Sequence, residues 1–546
     1  MVCEQLINER MIKLIPLTQA QGGGKKGCST RDHVFILRGA ITHALKYKTK
    51  LYVTFYDVTK AYDRADVDDM LVIAWEHGLR GKLWRLMKNL NTNLTAKIRM
   101  KDGLTRKIER KAGGKQGGKN FGFLFAKMMD VLAEEMECDE RMGVSMNELR
   151  LPILEWVDDV VTFAEGESQQ KLTLECVNEF AVKRKLKWGQ EKCKVMEIGP
   201  GPYAYETWQL GQQEIESCES YKYLGDVMMK NGSNKKNIDE REIKVMASTR
   251  KILALCGNSL FRKIQPKALI KLHNCCTIPM LLSNSETWVL NKTERNKIER
   301  IELWALKKIL GVPKTTPTAA IWHTTGLLTT STLIDKRQMI YLKTLLDKPE
   351  TDWTALMLKS LENDNIGWGK QIKKTLETYE LDKSWSEIKL MPASHWKSIV
   401  TTAAENRNTQ NLIDMCSGRN GEKMKTLKLL EKLKNKDYAR APCMNALKGS
   451  KSQGRVRLMA TYRMLDCRRN FKKGYGGDLC NVCKTIDDEN HRINYCTKYK
   501  ERNLALSPIK FDFESIYSDN EETVKRALEV ISHLWNVENG ENSMKL

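Results

Sequence analysis

The run Leu51-Tyr52-Val53-Thr54-Phe55-Tyr56-Asp57 sets Leu51, Val53 and Phe55 in alternation with Tyr52, Thr54 and Tyr56, a period of two that predicts a β-strand. Its last residue is a carboxylate on the Leu51/Val53/Phe55 row, where an ionised group is costly unless something such as a metal ion offsets its desolvation. A second acidic feature lies 101 residues further on. There Leu151 to Val157 and Val160 to Phe163 form apolar arms around Asp158-Asp159, which predicts a hairpin with both carboxylates at its tip. An acidic dipeptide alone says little, because most are solvated turns. Two carboxylate sources at adjacent strand ends say more: they can hold two Mg²⁺ ions about 3.5–4 Å apart, the arrangement that stabilises the attacking and leaving oxygens of a phosphoryl transfer. Magnesium suits the task because it binds through few carboxylates and keeps positions for substrate phosphates.

The surrounding chain has room for such a sheet. With 546 residues and 41% hydrophobic content it exceeds one ordinary core and reads as three or more packed units rather than a disordered or minimal binding segment. Lys and Arg number 91 against 68 Asp and Glu, a net +23 that favours a polyanionic partner, nucleic acid first. No window of about 18 apolar residues and no charged-then-apolar leader is present, so the expectation is an intracellular protein without a membrane partner. Its 15 cysteines, scattered through a long chain, read as reduced thiols.

Gln21 to Thr30 is a Gly/Lys-rich turn leading into a helix from about Asp32 to Lys46. Gly22 and Gly27 have phosphate-loop spacing, but Cys28 stands where that loop needs its lysine, which argues against nucleotide hydrolysis. Gly113 to Gly118 reads as a loop feeding a helix, with Leu124, Met128, Leu132 and Met136 on one face. The second half reads as mostly helical. Asn291 to Glu294 forms a capping box, Ile298, Ile301, Ala305 and Ile309 share a face, and Gly311 and Pro313 end the helix. Between Arg419 and Lys473 there are 17 Lys/Arg and 4 Asp/Glu, a local +13 that predicts a nucleic-acid footprint over a merely solvated face. Directly after it, Cys480-x2-Cys483-x7-His491-x4-Cys496 supplies three thiolates and one imidazole, enough for a closed, structural Zn²⁺ site.

Six ordered motifs resemble one family. Tyr56-Asp57-Val58-Thr59-Lys60-Ala61-Tyr62-Asp63-Arg64 is similar to the first palm motif of reverse transcriptases of non-LTR retrotransposons (LINE-type elements). Lys115-Gln116-Gly117 matches the family's Arg/Lys-Gln-Gly, and Trp156-Val157-Asp158-Asp159 its aromatic-small-Asp-Asp. Leu186 to Met196 resembles the next palm motif, Tyr223-Leu224-Gly225 the hairpin associated with gripping the primer, and Gln21 to His33 the fingers motif. The likeness runs from about Gln21 to Tyr341.

The resemblance implies an α+β right-hand polymerase: partial fingers at 1–50, a palm with an antiparallel sheet and interleaved fingers elements at 51–232 and a helical thumb at 233–350; beyond it, patterning, charge and ligand spacing give a helical basic region at 351–475, a zinc knuckle at 476–500 and a tail at 501–546. It implies an RNA-directed DNA polymerase that joins dNTPs to a primer 3′-hydroxyl on an RNA template, with two Mg²⁺ and a structural Zn²⁺, acting with a DNA primer or target, in nucleus and cytoplasm as a ribonucleoprotein. Asp57 and Asp158 would bind the magnesium ions with Asp159 beside them. Tyr62 would exclude a 2′-hydroxyl, and Gln116 and Gly117 would line the templating and nucleotide pocket. Lys192 would assist the pyrophosphate leaving group, or is simply a solvated lysine, and Tyr223, Leu224 and Gly225 would grip the primer.

The chain departs from the pattern after Gln-Gly, where the family has Asp/Cys-Pro-x-Ser-Pro and this sequence has Gly118-Lys119-Asn120-Phe121-Gly122. Only 20 residues precede Gln21, which suggests a truncated reading frame whose endonuclease lies elsewhere. The competing reading is a catalytically inactive, nucleic-acid-binding remnant of such an enzyme. An RNA-dependent RNA polymerase is disfavoured by Tyr62 and by Trp156-Val157 ahead of the aspartates; a telomerase or group II intron maturase stays open as an alternative, though the chain lacks their extra signatures.

Overall fold

Both side-chain rows of the Leu51–Asp57 run are buried in the computed structural model, which describes residues 2–92, 94–109, 113–114, 118–202, 204–257, 266–312, 314–417, 479–480, 482–486 and 491–497. Helices α1 (Val2–Leu14) and α2 (Thr30–Tyr47) precede that run, which is strand β1 (Leu51–Asp57). Next come α3 (Ala61–Arg64), α4 (Val67–Glu76), α5 (Gly81–Asn91) and two exposed ribbons, β2 (Thr95–Ala96) paired with β5 (Ile108–Glu109) and β3 (Arg99–Met100) paired with β4 (Gly103–Leu104). Helix α6 (Lys119–Cys138) leads into the hairpins β6 (Val144–Met146) with β7 (Leu149–Leu151) and β8 (Ile153–Trp156) with β9 (Asp159–Ala164). After α7 (Glu167–Lys183) come β10 (Lys194–Ile198), β11 (Thr207–Leu210), β12 (Gln213–Ser217) and the hairpin of β13 (Ser220–Tyr223) with β14 (Asp226–Met229).

From there the helices α8 (Lys235–Gly257), α9 (Pro266–Leu272), α10 (Ile278–Leu282), α11 (Lys292–Leu310), α12 (Thr318–Thr325) and α13 (Thr330–Leu346) follow. They continue through α14 (Trp353–Asn363), α15 (Gly367–Thr378), α16 (Trp385–Leu390) and α17 (Ala393–Ser417). None of the described helices is long and apolar enough to cross a membrane. The predicted helix at Asp32–Lys46 is α2, capped by Ser29 in a reciprocal box with Asp32. Helix α6 begins directly after the glycine-rich stretch, and its Leu124, Met128, Leu132 and Met136 are all buried. Asn291 and Glu294 form the predicted box on α11, and Gly311 closes that helix with a left-handed φ of 69°.

The main sheet has the order β11-β12-β10-β1-β9-β8, so β1 is central and antiparallel to both neighbours. Its two rows enter two cores. Tyr52 and Tyr56 join α6 and α7 residues such as Phe125, Met128 and Val177, while Leu51, Val53 and Phe55 join Phe35, Leu37, Tyr341 and Trp368. This is why an alternating run can be buried on both faces: the second row is aromatic and threonine rather than charged.

The second predicted arm differs in detail. Pro152 has no N–H for a ladder, so the chain breaks there, with β7 ending at Leu151 and β8 starting at Ile153, while the Pro152 carbonyl still accepts from Phe163 N at 3.0 Å. The hairpin tip is Val157-Asp158 rather than the Asp pair, because Trp156 and Asp159 close the ladder as partners. The sequence patterning also leaves α1 unforeseen; it packs on α6.

Candidate active site

The register of the sheet brings the predicted carboxylates together. Asp57, the last residue of β1, lies directly opposite Asp159, the first residue of β9, and Asp158 occupies the adjoining turn. Beyond β1 the strand direction is prolonged by a Val58–Trp188 bridge, a Thr59 N–H donated to Lys187 O at 2.9 Å and a Gly189 N–H donated to Asp57 O at 2.8 Å. That segment carries Lys192, whose Nζ reaches both Asp57 oxygens at 3.1 and 3.0 Å. Lys192 is therefore neither a freely solvated lysine nor remote from the aspartates, although its side chain is 68% exposed. Asp57, Asp158 and Lys192 face a cleft of about 640 Å³ whose walls also include Thr59, Lys60, Tyr62 and Gln190.

Electrostatically the site lacks positive charge. Burial, then the charges of Asp158 and Asp57, push the Asp159 carboxyl up to about 6, and burial with Asp57 raises Asp158. Lys192 offsets part of this and is itself held more firmly protonated by Asp57. A donor set of three converging carboxylates that already draws in one ammonium fits a hard divalent cation.

Tyr62 is half-buried at the cleft wall, its ring stacked on Phe125 at 5.2 Å and tilted against Phe121 at 5.8 Å. The loop returning from the ribbons docks on it: Gly114 N–H donates to Tyr62 O at 3.3 Å, and a side chain at Gly113 would meet that same oxygen at 2.4 Å. Gln116 and Gly117, assigned by the resemblance to the nucleotide pocket, lie outside the described residues, as does the basic run from Arg419 to Lys473.

Tyr223, Leu224 and Gly225 form the tip of the β13–β14 hairpin, with Leu224 and Gly225 at left-handed φ of 44° and 88°. The hairpin rests on the underside of β1, Tyr221 stacking on Phe55 at 4.1 Å. Tyr223 is buried, with its hydroxyl 3.4 Å from His33 Nδ1, and so serves as an anchor of the turn. The turn is fastened by a group the motif reading missed. Asp226, fully buried, accepts from Arg38 Nη2 at 2.9 Å, Arg241 Nη2 at 2.5 Å and Trp288 Nε1 at 2.9 Å, tying the hairpin to α2, α8 and the segment before α11. Its signal was available: an aspartate opening the otherwise apolar run Asp226-Val227-Met228-Met229 poses the same question as Asp57.

Residues 2–228 match the protein family described as "Reverse transcriptase (RNA-dependent DNA polymerase)". This chain carries a reverse transcriptase domain. The match spans Asp57, Asp158 and Asp159 and runs into the hairpin that carries Tyr223. A comparison with curated proteins gives no match. Among solved structures the chain is similar to telomerase from Candida tropicalis bound to a fragment of telomeric RNA, at 14% identity and a TM-score of 0.35 over 74% of this chain and 56% of that one. Apo telomerase from the same organism gives 13%, 0.33, 73% and 59%, and telomerase from Candida albicans 10%, 0.29, 71% and 55% in the same order. The chain thus spans about half the length of these structures. Superpositions this loose bear on no residue, and the assignment of the reverse transcriptase domain rests on the family match.

Further along the chain, Cys480, Cys483, His491 and Cys496 gather with one ligand atom of each within 4.8 Å of the others, the only such group of three or more among the described residues. Cys496 Sγ lies 3.8 Å from both Cys480 Sγ and Cys483 Sγ, close to the edge of a tetrahedron with metal–sulfur bonds of about 2.3 Å. Thr485 Oγ1 orients the His491 ring through Nδ1 at 3.0 Å, and Thr497 N–H and Oγ1 approach Cys483 Sγ and lower its pKa.

Proposed function

We propose that this chain is the RNA-directed DNA polymerase of a non-LTR retrotransposon, extending a primer 3′-hydroxyl with dNTPs on an RNA template. The observation that carries the reading is the register Asp57 opposite Asp159 with Asp158 in the adjoining turn, at the head of a cleft walled by Tyr62 and Lys192. The non-LTR origin is supported by the ordered motifs from Gln21 to Gly225. Asp57 and Asp158, with Asp159 beside them, would hold two Mg²⁺ ions, which when bound supply charge stabilisation to the attacking and leaving oxygens. Lys192, on Asp57, keeps a cation at the phosphate end of the cleft, and Tyr62, locked by Phe125, presents a fixed wall to the sugar. Cys480, Cys483, His491 and Cys496 would hold a structural Zn²⁺ next to the basic run Arg419–Lys473, giving a second nucleic-acid surface.

The test is primer extension on a primed RNA by the purified chain in Mg²⁺. Asp158→Ala should abolish extension while leaving RNA binding intact. Extension that survives Asp158→Ala refutes the site, and RNA binding without extension in the wild type assigns the chain to the inactive remnant class.

A further inference from the structure

One motif residue has no role in the reading above. Gln21 lies in the chain before α2, fully buried, and pairs as an isolated parallel bridge with Glu155 on the outer edge of β8. The backbone there is bound on both sides, Gly22 N–H to Glu155 O and Glu155 N–H to Ala20 O, each at 2.9 Å. All four polar positions of the Gln21 amide are occupied. Oε1 accepts from Val157 N at 2.9 Å and Gly23 N at 3.0 Å; Nε2 donates to Glu155 Oε2 at 3.0 Å and, at the longer 3.5 Å, to Ala126 O.

What it holds is unusual. Val157 is a β-branched residue at φ 61°, in the left-handed region, a conformation that persists only where the surroundings enforce it. Val157 immediately precedes Asp158, so its peptide sets the direction in which that aspartate leaves the turn. The approach of the Gln21 segment is possible only because two glycines follow it. A Cβ at Gly23 would lie 2.4 Å from Val157 Cγ2 and 2.8 Å from Val157 N, and one at Gly22 would lie 2.6 Å from His33 Nε2 and 2.8 Å from the Trp156 ring.

We propose that Gln21 is a positioning residue of the polymerase centre: its carbonyl holds the strained Val157 peptide and thereby aims Asp158, while Glu155 fixes the amide from behind. The proposal rests on the reading of Asp57, Asp158 and Asp159 as the cation-holding set. Glu155 suits its part: its Oε2 accepts from the Gln21 amide at 3.0 Å, and burial, reinforced by Asp130, raises its pKa well above the usual carboxylate value. A purely packing role would be served by any apolar side chain of similar volume. Positioning needs one oxygen that accepts from both Val157 N and Gly23 N, and a hydrogen bond to Glu155 that fixes its orientation.

The test uses the full chain and three variants: Gln21→Leu, Gln21→Glu, and the exchange Gln21→Glu with Glu155→Gln, which keeps an oxygen on the Val157 and Gly23 N–H groups and restores the 21–155 hydrogen bond with its direction reversed. Hydrogen exchange in metal-free protein reads the Val157 amide directly. Mn²⁺ titration followed by electron paramagnetic resonance reads the cation site, and primer extension gives kcat and KM. Gln21→Leu should speed exchange in the peptide spanning Val157 while peptides of β1 and β10 exchange as in wild type. It should also weaken Mn²⁺ binding and lower kcat by roughly 10–100-fold, with the KM for primer–template unchanged. The exchanged pair should recover most of both losses. Unchanged Val157 exchange and Mn²⁺ affinity in folded Gln21→Leu overturn the proposal, as does a general loosening of the sheet that the exchanged pair fails to reverse. Asp158→Ala serves as the separate control: if it leaves wild-type Mn²⁺ binding intact, the assignment of the carboxylates falls, whereas the exchange measurement still judges the hold of Gln21 on Val157.

Discussion

Asp159→Asn should stabilise the metal-free protein, and only above the acidic range. In the folded chain burial and the neighbouring Asp158 and Asp57 raise Asp159 from an ordinary 3.8 to about 6. A carboxyl raised on folding favours the native state while it is protonated. That contribution is fully present below about 3.8 and is lost as pH rises through about 6, above which folding must hold a third negative charge in the cleft. A displacement of this size corresponds to about 3 kcal/mol at most, and solvent reaching the open cleft reduces it to about 1–2 kcal/mol. Removing the charge should therefore raise the midpoint of thermal unfolding by about 2–8 °C at pH 8 and by little at pH 4. The assay is a pair of melts in chelator at the two pH values for wild type and variant. Any packing effect of the amide is common to both and cancels. Adding Mg²⁺ at pH 8 should stabilise wild type more than Asp159→Asn, because only the former has the charge to relieve. An equal gain at both pH values, or a larger one at pH 4, would refute the electrostatic account of the site.

Three further outcomes follow from other parts of the molecule. Asp226→Ala leaves Arg38 and Arg241 buried without their carboxylate and should cost about 3–5 kcal/mol in urea unfolding, far more than Lys359→Ala at an exposed ion pair with Glu148. Tyr62→Ala should raise ribonucleotide over deoxynucleotide incorporation in a competition assay; an unchanged ratio in an active variant removes the gate. Metal analysis of the purified chain should find Zn²⁺ that Cys483→Ser loses, and log affinity for single-stranded RNA should fall with log salt by roughly 0.7 per phosphate contact, a flat dependence excluding the basic run as a footprint.

The sequence discloses the site better than its supports. Asp57, Asp158 and Asp159 were legible because carboxylates ending apolar runs are costly unless they are used, and the antiparallel pairing of β1 with β9 supplies what the pattern could not, the register. The hairpin tip was placed one residue late, since alternation cannot tell which residue takes the left-handed φ, and Val157 is a poor candidate by propensity. The roles of Gln21 and Asp226 are not legible in the sequence because their partners, Val157 and Arg241, are set by tertiary contacts at separations of 136 and 15 residues. Lys192 is ambiguous in the sequence for the same reason: nothing local to the motif reports that Asp57, 135 residues earlier, lies within its reach.

The central position of β1 also governs how the chain is made. Its first neighbour in the sheet starts at residue 159 and its second ends at residue 198, so a strand with both rows apolar or aromatic emerges long before either edge can be covered. At translation rates of about 5–20 residues per second, that interval lasts on the order of 10 s, during which Leu51 to Tyr56 offers two bare hydrogen-bonding edges to any other nascent chain. The same placement that buries the base of the cleft therefore leaves this segment open to aggregation at birth. Lowering the density of simultaneous synthesis, by growth temperature or a weaker promoter, should improve recovery of soluble protein more than any change to the finished surface.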